Sequence, residues 1–84
     1  MLFRSSNMAA EVKFEIVERL VVLKDRKPAW DLELNLVSWN DNEPKYDIRE
    51  WNEEHTRCGK GITMDLDTLK NLVKYCEEAQ IWDV

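Results

Sequence analysis

Residues 30–51, WDLELNLVSWNDNEPKYDIREW, alternate apolar and polar side chains on both sides of a polar break. In the first half, Trp30, Leu32, Leu34 and Leu36 share one face of an extended chain, while Asp31, Glu33, Asn35, Val37 and Trp39 share the other. A period of two is the signature of a strand with one face in the core. NDNEP then reads as a turn, because short Asn and Asp side chains bond their own backbone and Pro44 has no N–H for a central ladder. KYDIREW resumes the alternation, with Tyr46 and Ile48 on the Leu-rich side and Lys45, Asp47, Arg49 and Trp51 opposite. Two antiparallel strands follow from this stretch.

Upstream, VKFEIVERLVVL (residues 12–23) fits both periods: Phe14, Ile16, Leu20 and Val22 suit a strand, and Phe14, Val17, Leu20 and Val21 suit a helix. Its β-branched and aromatic content favours a strand. KDRKPA makes a charged turn into Trp30. Downstream, NEEHTRCG forms a polar loop before a short strand, KGITM, whose Ile62 and Met64 join the apolar side. Asp65 or Asp67 can cap the helix that follows, LDTLKNLVKYCEEAQIW, where a carboxylate also suits the positive end of the dipole. The fold expected is α+β: a four-stranded antiparallel sheet followed by one C-terminal helix, with the Leu-rich face of the sheet under the helix.

Leu69, Leu72, Val73, Cys76 and Ala79 recur along that helix at spacings of three and four. Adding Leu66, Tyr75 and Trp82 widens the apolar stripe to roughly 200°, about twice what one packing surface needs. A second copy of the chain is the natural cover, so a homodimer is expected, with Leu69, Leu72, Val73, Tyr75, Cys76, Ala79 and Trp82 at its interface.

The chain has 84 residues, 44% hydrophobic and 35% charged, with two glycines and two prolines, which suits one folded domain over 12–84 after a flexible leader over 1–11. No apolar run approaches the roughly 18 to 20 residues of a membrane span, and MLFRSS lacks the apolar core of a secretory signal. A cytoplasmic location is expected. The net charge of −5 is uneven: residues 1–30 carry six cations against four acids, and residues 31–84 carry six against thirteen. Such a balance disfavours duplex binding through a broad basic face, though not binding dominated by stacking.

The polar face has an evident use. Trp39 and Trp51 lie beside Lys45 and Arg49 on one side of the sheet, where bases of a single strand stack on rings and cations meet phosphates. Edge packing of the two rings is the simpler alternative. Trp30 and Trp82 fall on core-facing or helix-facing positions. His55, Cys58 and Cys76 do not make up the four ligands of a zinc site, and no group stands ready to orient a His55-activated thiol. No catalytic residue, metal or cofactor is expected, and the cysteines read as free thiols.

KYDIREW followed by GKGITMDLDTLKNL resembles the core motif of the transcriptional coactivator positive cofactor four family, and VSWNDNEPKYDIREW with GKGIT is most similar to its bacterial YdbC-like branch. The resemblance spans about residues 12 to 80. It implies a curved sheet and helix paired into a homodimer that binds single-stranded DNA, or RNA, largely without regard to sequence, in transcription, replication or repair. A bacterial member would associate with the nucleoid. Arg49 matches the arginine of the DIRE motif and Lys60 the lysine of the KGI motif. Trp51 and Trp39 fall where the family places aromatics, and Asn40 lies in the adjoining turn. The expected nucleic-acid contacts are therefore Trp39, Asn40, Lys45, Arg49, Trp51 and Lys60. NDNE and WDLELN are acidic where relatives tend to be basic, which suits the alternative of a protein-interaction module on the same fold.

Overall fold

A computed structural model describes residues 12–83; the leader expected over 1–11 lies outside them. Four strands, β1 (Phe14–Lys24), β2 (Asp31–Trp39), β3 (Lys45–Trp51) and β4 (Cys58–Met64), precede the helix α1 (Leu66–Ala79) and a short 3-10 turn, Ile81–Asp83. The strands form one antiparallel sheet in the order β1-β2-β3-β4. This is the expected α+β architecture. No helix among the described residues is long and apolar enough to cross a membrane.

β1 departs from a simple alternation. Its register against β2 slips between Ile16 and Glu18, between Arg19 and Val21, and between Val22 and Lys24, so one residue is left over at each step. Bulges bend a strand and raise its twist. Their consequence is that Phe14, Ile16, Arg19 and Val22 oppose Trp39, Val37, Asn35 and Glu33, so Arg19 takes the position that an unbroken register gives to Glu18, and Val22 the one it gives to Leu20. Leu20 is the surplus residue at the middle slip, and its N–H donates to Asn35 Oδ1 at 3.2 Å. Burial of Asn35, only 1% exposed, thus satisfies a backbone donor that the ladder leaves unpaired.

The buried face is the reverse of the one expected. Asp31, Glu33, Asn35 and Val37 are buried, whereas Leu32, Leu34 and Leu36 on the other face are only half-buried. The bulges of β1 bend that strand over the polar side, where Phe14 covers Trp39 and Trp51. Within one chain the helix does not cover the Leu-rich side: α1 has no buried residue, and Leu72, Val73 and Tyr75 are 47%, 47% and 65% exposed. Trp82 lies beyond α1, which stops at Gln80 in the left-handed conformation with its N–H on the carbonyls of Cys76 and Glu77. Trp82 and Trp30 are solvent-exposed rather than packed, at 61% and 37%.

Asp65, not Asp67, is the N-cap, with Oδ1 accepting from the Thr68 N–H at 2.8 Å. Bonding from the Thr68 hydroxyl and then its amide holds the Asp65 carboxyl below its ordinary value of 3.8. A depressed carboxyl stabilises the fold above that ordinary value and loses its effect as pH falls through the lower folded value. Circular dichroism of the wild type should therefore lose helix signal below about pH 4. Asp65→Asn, which keeps an accepting oxygen, should lose less helix at neutral pH than Asp65→Ala.

Candidate nucleic-acid interface

Alternation along β3 puts Asp47, Arg49 and Trp51 on the concave face, and the ladders fix their neighbours. Arg49 lies opposite Glu33 on β2 and Gly61 on β4; Asp47 lies opposite Asn35 and Thr63. Arg49 Nε donates to both carboxylate oxygens of Asp47, at 2.8 and 3.0 Å, and Nη1 donates to the Gly59 carbonyl at 3.1 Å. Thr63 Oγ1 donates to Asp47 Oδ2 at 2.8 Å. DIRE and KGIT are thereby one unit. Asp47 is fully buried and orients the guanidinium, leaving three of its five N–H groups for a ligand. Gly61 leaves the space: a Cβ there would lie 2.1 Å from Arg49 Cβ.

Arg49 also sits over Trp39, with Cζ 4.8 Å from the ring centroid. Trp39 and Trp51 lie nearly parallel, 6.5 Å apart and inclined by 15°. Phe14 leans on both, at 5.7 Å from Trp39 and 5.1 Å from Trp51, and His55 lies over Trp51 at 5.8 Å. Trp51 is closed in by these rings. Expected to be open, it is only 1% exposed; Trp39 remains half-buried. The indole N–H groups of both tryptophans are buried and have no acceptor among the described residues.

Phe14 and His55 are the members that strand parity alone does not place in the site. Phe14 arrives through the pairing of β1 with the far end of β2. His55 is positioned by the β3–β4 loop, where Asn52 Oδ1 accepts from the N–H groups of Thr56 and Arg57 at 2.9 and 2.8 Å. The His55 N–H bonds to the Asn52 carbonyl at 3.0 Å, and His55 takes a positive φ of 59°. Its Nε2 donates to the Glu33 carboxylate, 2.9 and 3.0 Å from the two oxygens, and Glu33 Oε1 also accepts from Asn35 Nδ2 at 3.0 Å. Asparagine at position 52, with its short side chain able to mimic a turn, is the one sequence signal of this loop. His55 is engaged by Glu33 rather than by a cysteine, and no group of three or more His, Cys, Asp and Glu side chains among the described residues could hold a metal ion. Both cysteines are free.

The other expected contacts are placed apart from this cluster. Lys45 shares the face, opposite Val37, and Lys60 lies in the irregular stretch between Cys58 and Gly61. Both are exposed, and neither forms an ion pair among the described residues. Asn40 instead ties the β2–β3 turn to the start of β1. Its Oδ1 accepts from the Lys13 N–H at 3.0 Å and its own N–H meets the Lys13 carbonyl at 2.6 Å. Asn40 and Asp41 both take positive φ, 53° and 63°, the conformation for which Asn and Asp are tolerated in tight turns.

The family model described as Transcriptional Coactivator p15 (PC4) matches residues 27–75, which include β2, β3, β4 and most of α1. A protein of Treponema pallidum (strain Nichols), described as an uncharacterized protein, is 37% identical over 51 residues, covering 61% of this chain and 60% of that protein.

Proposed function

This chain belongs to the Transcriptional Coactivator p15 (PC4) family, and from that premise we propose that it binds single-stranded DNA, largely independently of sequence, through the concave face around Trp39 and Arg49. Family membership carries nucleic-acid binding. The observation that supports the particular surface is the guanidinium held by Asp47 and the Gly59 carbonyl above a half-exposed indole. A base stacks on the Trp39 ring, and the free N–H groups of Arg49 with Lys45 and Lys60 receive phosphate oxygens. Each stacked base contributes about 1 to 3 kcal/mol, enough for a few of them to offset the repulsion from an acidic chain.

Tryptophan fluorescence during titration with oligo-dT and a matched duplex, at low and moderate salt, tests this. Oligo-dT should quench and bind more tightly than the duplex, and Trp39→Ala should weaken oligo-dT binding about 5- to 150-fold, the loss of one stacking contact. An unchanged wild-type spectrum at low salt would dispose of single-strand binding.

The functional unit is a homodimer. Its support is the uncovered apolar surface: Leu66, Leu72, Val73, Tyr75 and Trp82 on the helical segment and Ile62 on β4 are all 46% or more exposed. Patches of this extent mark association surfaces. A self-complementary pairing of two such chains covers the helix stripe and brings two concave faces into one particle. Sedimentation should show a dimer at micromolar concentration, and Leu72→Glu with Val73→Glu should shift it to monomer. A wild-type chain that sediments as a stable monomer would remove the dimer from the proposal.

A further inference from the structure

At the hairpin end of the concave face, β1, the β1–β2 turn and the loop after β3 enclose an open groove of about 930 Å³. Leu20, Val22 and Pro28 give it apolar walls. Its charge runs opposite to that needed by phosphates: Asp31, Glu33, Glu53 and Glu54 line it against Arg19 and Lys27. Lys27 is already paired with Asp31, whose carboxyl that hydrogen bond, followed by the Arg26 N–H, holds below its ordinary value. Glu53 and Glu54 have no cation within ion-pair reach among the described residues. These are the acids of the loop and of WDLELN, which single-strand binding does not use.

Two further features point to what fits. Trp30 lines the groove with 37% of its surface exposed, an indole face available to a cation. Trp51 also lines it, 99% buried and without an acceptor for its indole N–H among the described residues. The groove exceeds the size of one side chain, and its apolar walls suit the methylene stems of long cationic residues.

We propose that this groove docks an extended basic peptide segment of a partner protein, with an arginine or lysine head over Trp30 between the carboxylates of Glu53 and Glu54, and a main-chain carbonyl accepting from Trp51. The groove adjoins the surface around Trp39 and Arg49 and shares Glu33, Trp51 and His55 with it, but Trp30, Glu53 and Glu54 lie outside that cluster, so a single chain holds nucleic acid and a basic partner side by side.

The test is fluorescence anisotropy of a labelled peptide of alternating arginine and glycine, with a glutamate–glycine peptide as control, on the full chain. The basic peptide should bind and the acidic one should not. Trp30→Ala, and separately Glu53→Gln with Glu54→Gln, should each weaken it about 5- to 30-fold, the range of a desolvated cation–π contact with its carboxylates. All these side chains are exposed, and the oligo-dT affinity of the variants should stay at the wild-type value. Absence of basic-peptide binding, or undiminished binding in both variants, overturns the proposal. So does displacement of the peptide by oligo-dT together with loss of oligo-dT affinity in the same variants, which would assign the groove to the nucleic-acid path. Failure of oligo-dT to bind anywhere, with peptide binding retained, would instead strike only the single-strand proposal.

Discussion

Trp51→Ala will cost the chain a large share of its stability. The indole is 1% exposed and lies among Phe14, Trp39 and His55, so its removal empties the largest fully buried side chain of the sheet. Large-to-small changes of this kind cost about 3 to 5 kcal/mol, because the lost transfer energy adds to an unfilled cavity. An 84-residue chain has a total stability of about 4 to 13 kcal/mol, so the loss is a large share of the whole. Urea unfolding followed by circular dichroism should show the midpoint falling by about a third or more, with Trp51→Phe retaining much of it. A Trp51→Ala chain with the wild-type midpoint would mean that the ring is not part of the core. Loss of DNA binding in that variant accordingly says little about stacking. Trp39, half-buried at the edge of the same cluster, is the residue whose truncation reports on the ligand.

The same ring marks where the sequence is legible and where it is not. Parity assigns Trp51 to the face of Arg49 and Asp47, and the ladders agree. Parity does not say which face is concave, because Val37, Trp39 and Trp51 make the polar face nearly as able to bury surface as Leu32, Leu34 and Leu36. The deciding feature is the bend of β1, and β1 conceals it: Leu20, Val21, Val22 and Leu23 are all apolar, so a slipped register leaves no trace in hydropathy. Strands β2, β3 and β4 lack that ambiguity over most of their length, and their boundaries follow the alternation closely. The helix is equally legible, down to the choice of an aspartate cap. Its wide stripe is legible as a surplus of apolar surface, and the single chain indeed leaves it uncovered. Phe14 and His55 escape for a different reason. Each reaches the tryptophans across a separation in sequence that only the assembled sheet closes, and His55 does so from a left-handed backbone that a non-glycine residue adopts at some cost.

Gly61→Ala is the second change with a large expected effect, and Gly59→Ala is its control. Neither glycine has a positive φ, so torsional freedom is not what either position requires. A Cβ at position 61 would lie 2.1 Å from Arg49 Cβ, 2.3 Å from the Ile48 carbonyl oxygen and 2.8 Å from Arg49 Cα. Two of those three atoms are backbone in the paired strand, so relief requires β3 and β4 to separate. At position 59 the nearest atom is the terminal Oε1 of Glu50, at 2.5 Å, which a rotation of that side chain moves away. Overpacking in a closed site costs about 1 to 3 kcal/mol, and displacement of paired backbone puts Gly61→Ala at or above the upper end. Gly59→Ala should stay within about 1 kcal/mol of the wild type in urea. The functional consequence should exceed the loss of stability. Arg49 crosses Gly61 to reach the Gly59 carbonyl while Asp47, itself bonded by the Thr63 hydroxyl, holds it from the other side, so separation of the strands removes the guanidinium from its place over Trp39. In the fraction of Gly61→Ala that remains folded at low temperature, oligo-dT affinity should fall at least about tenfold, comparable with loss of a charge-assisted contact. Wild-type affinity in that folded fraction would show that the glycine serves strand packing alone, and that the fixed guanidinium is not what a single strand engages.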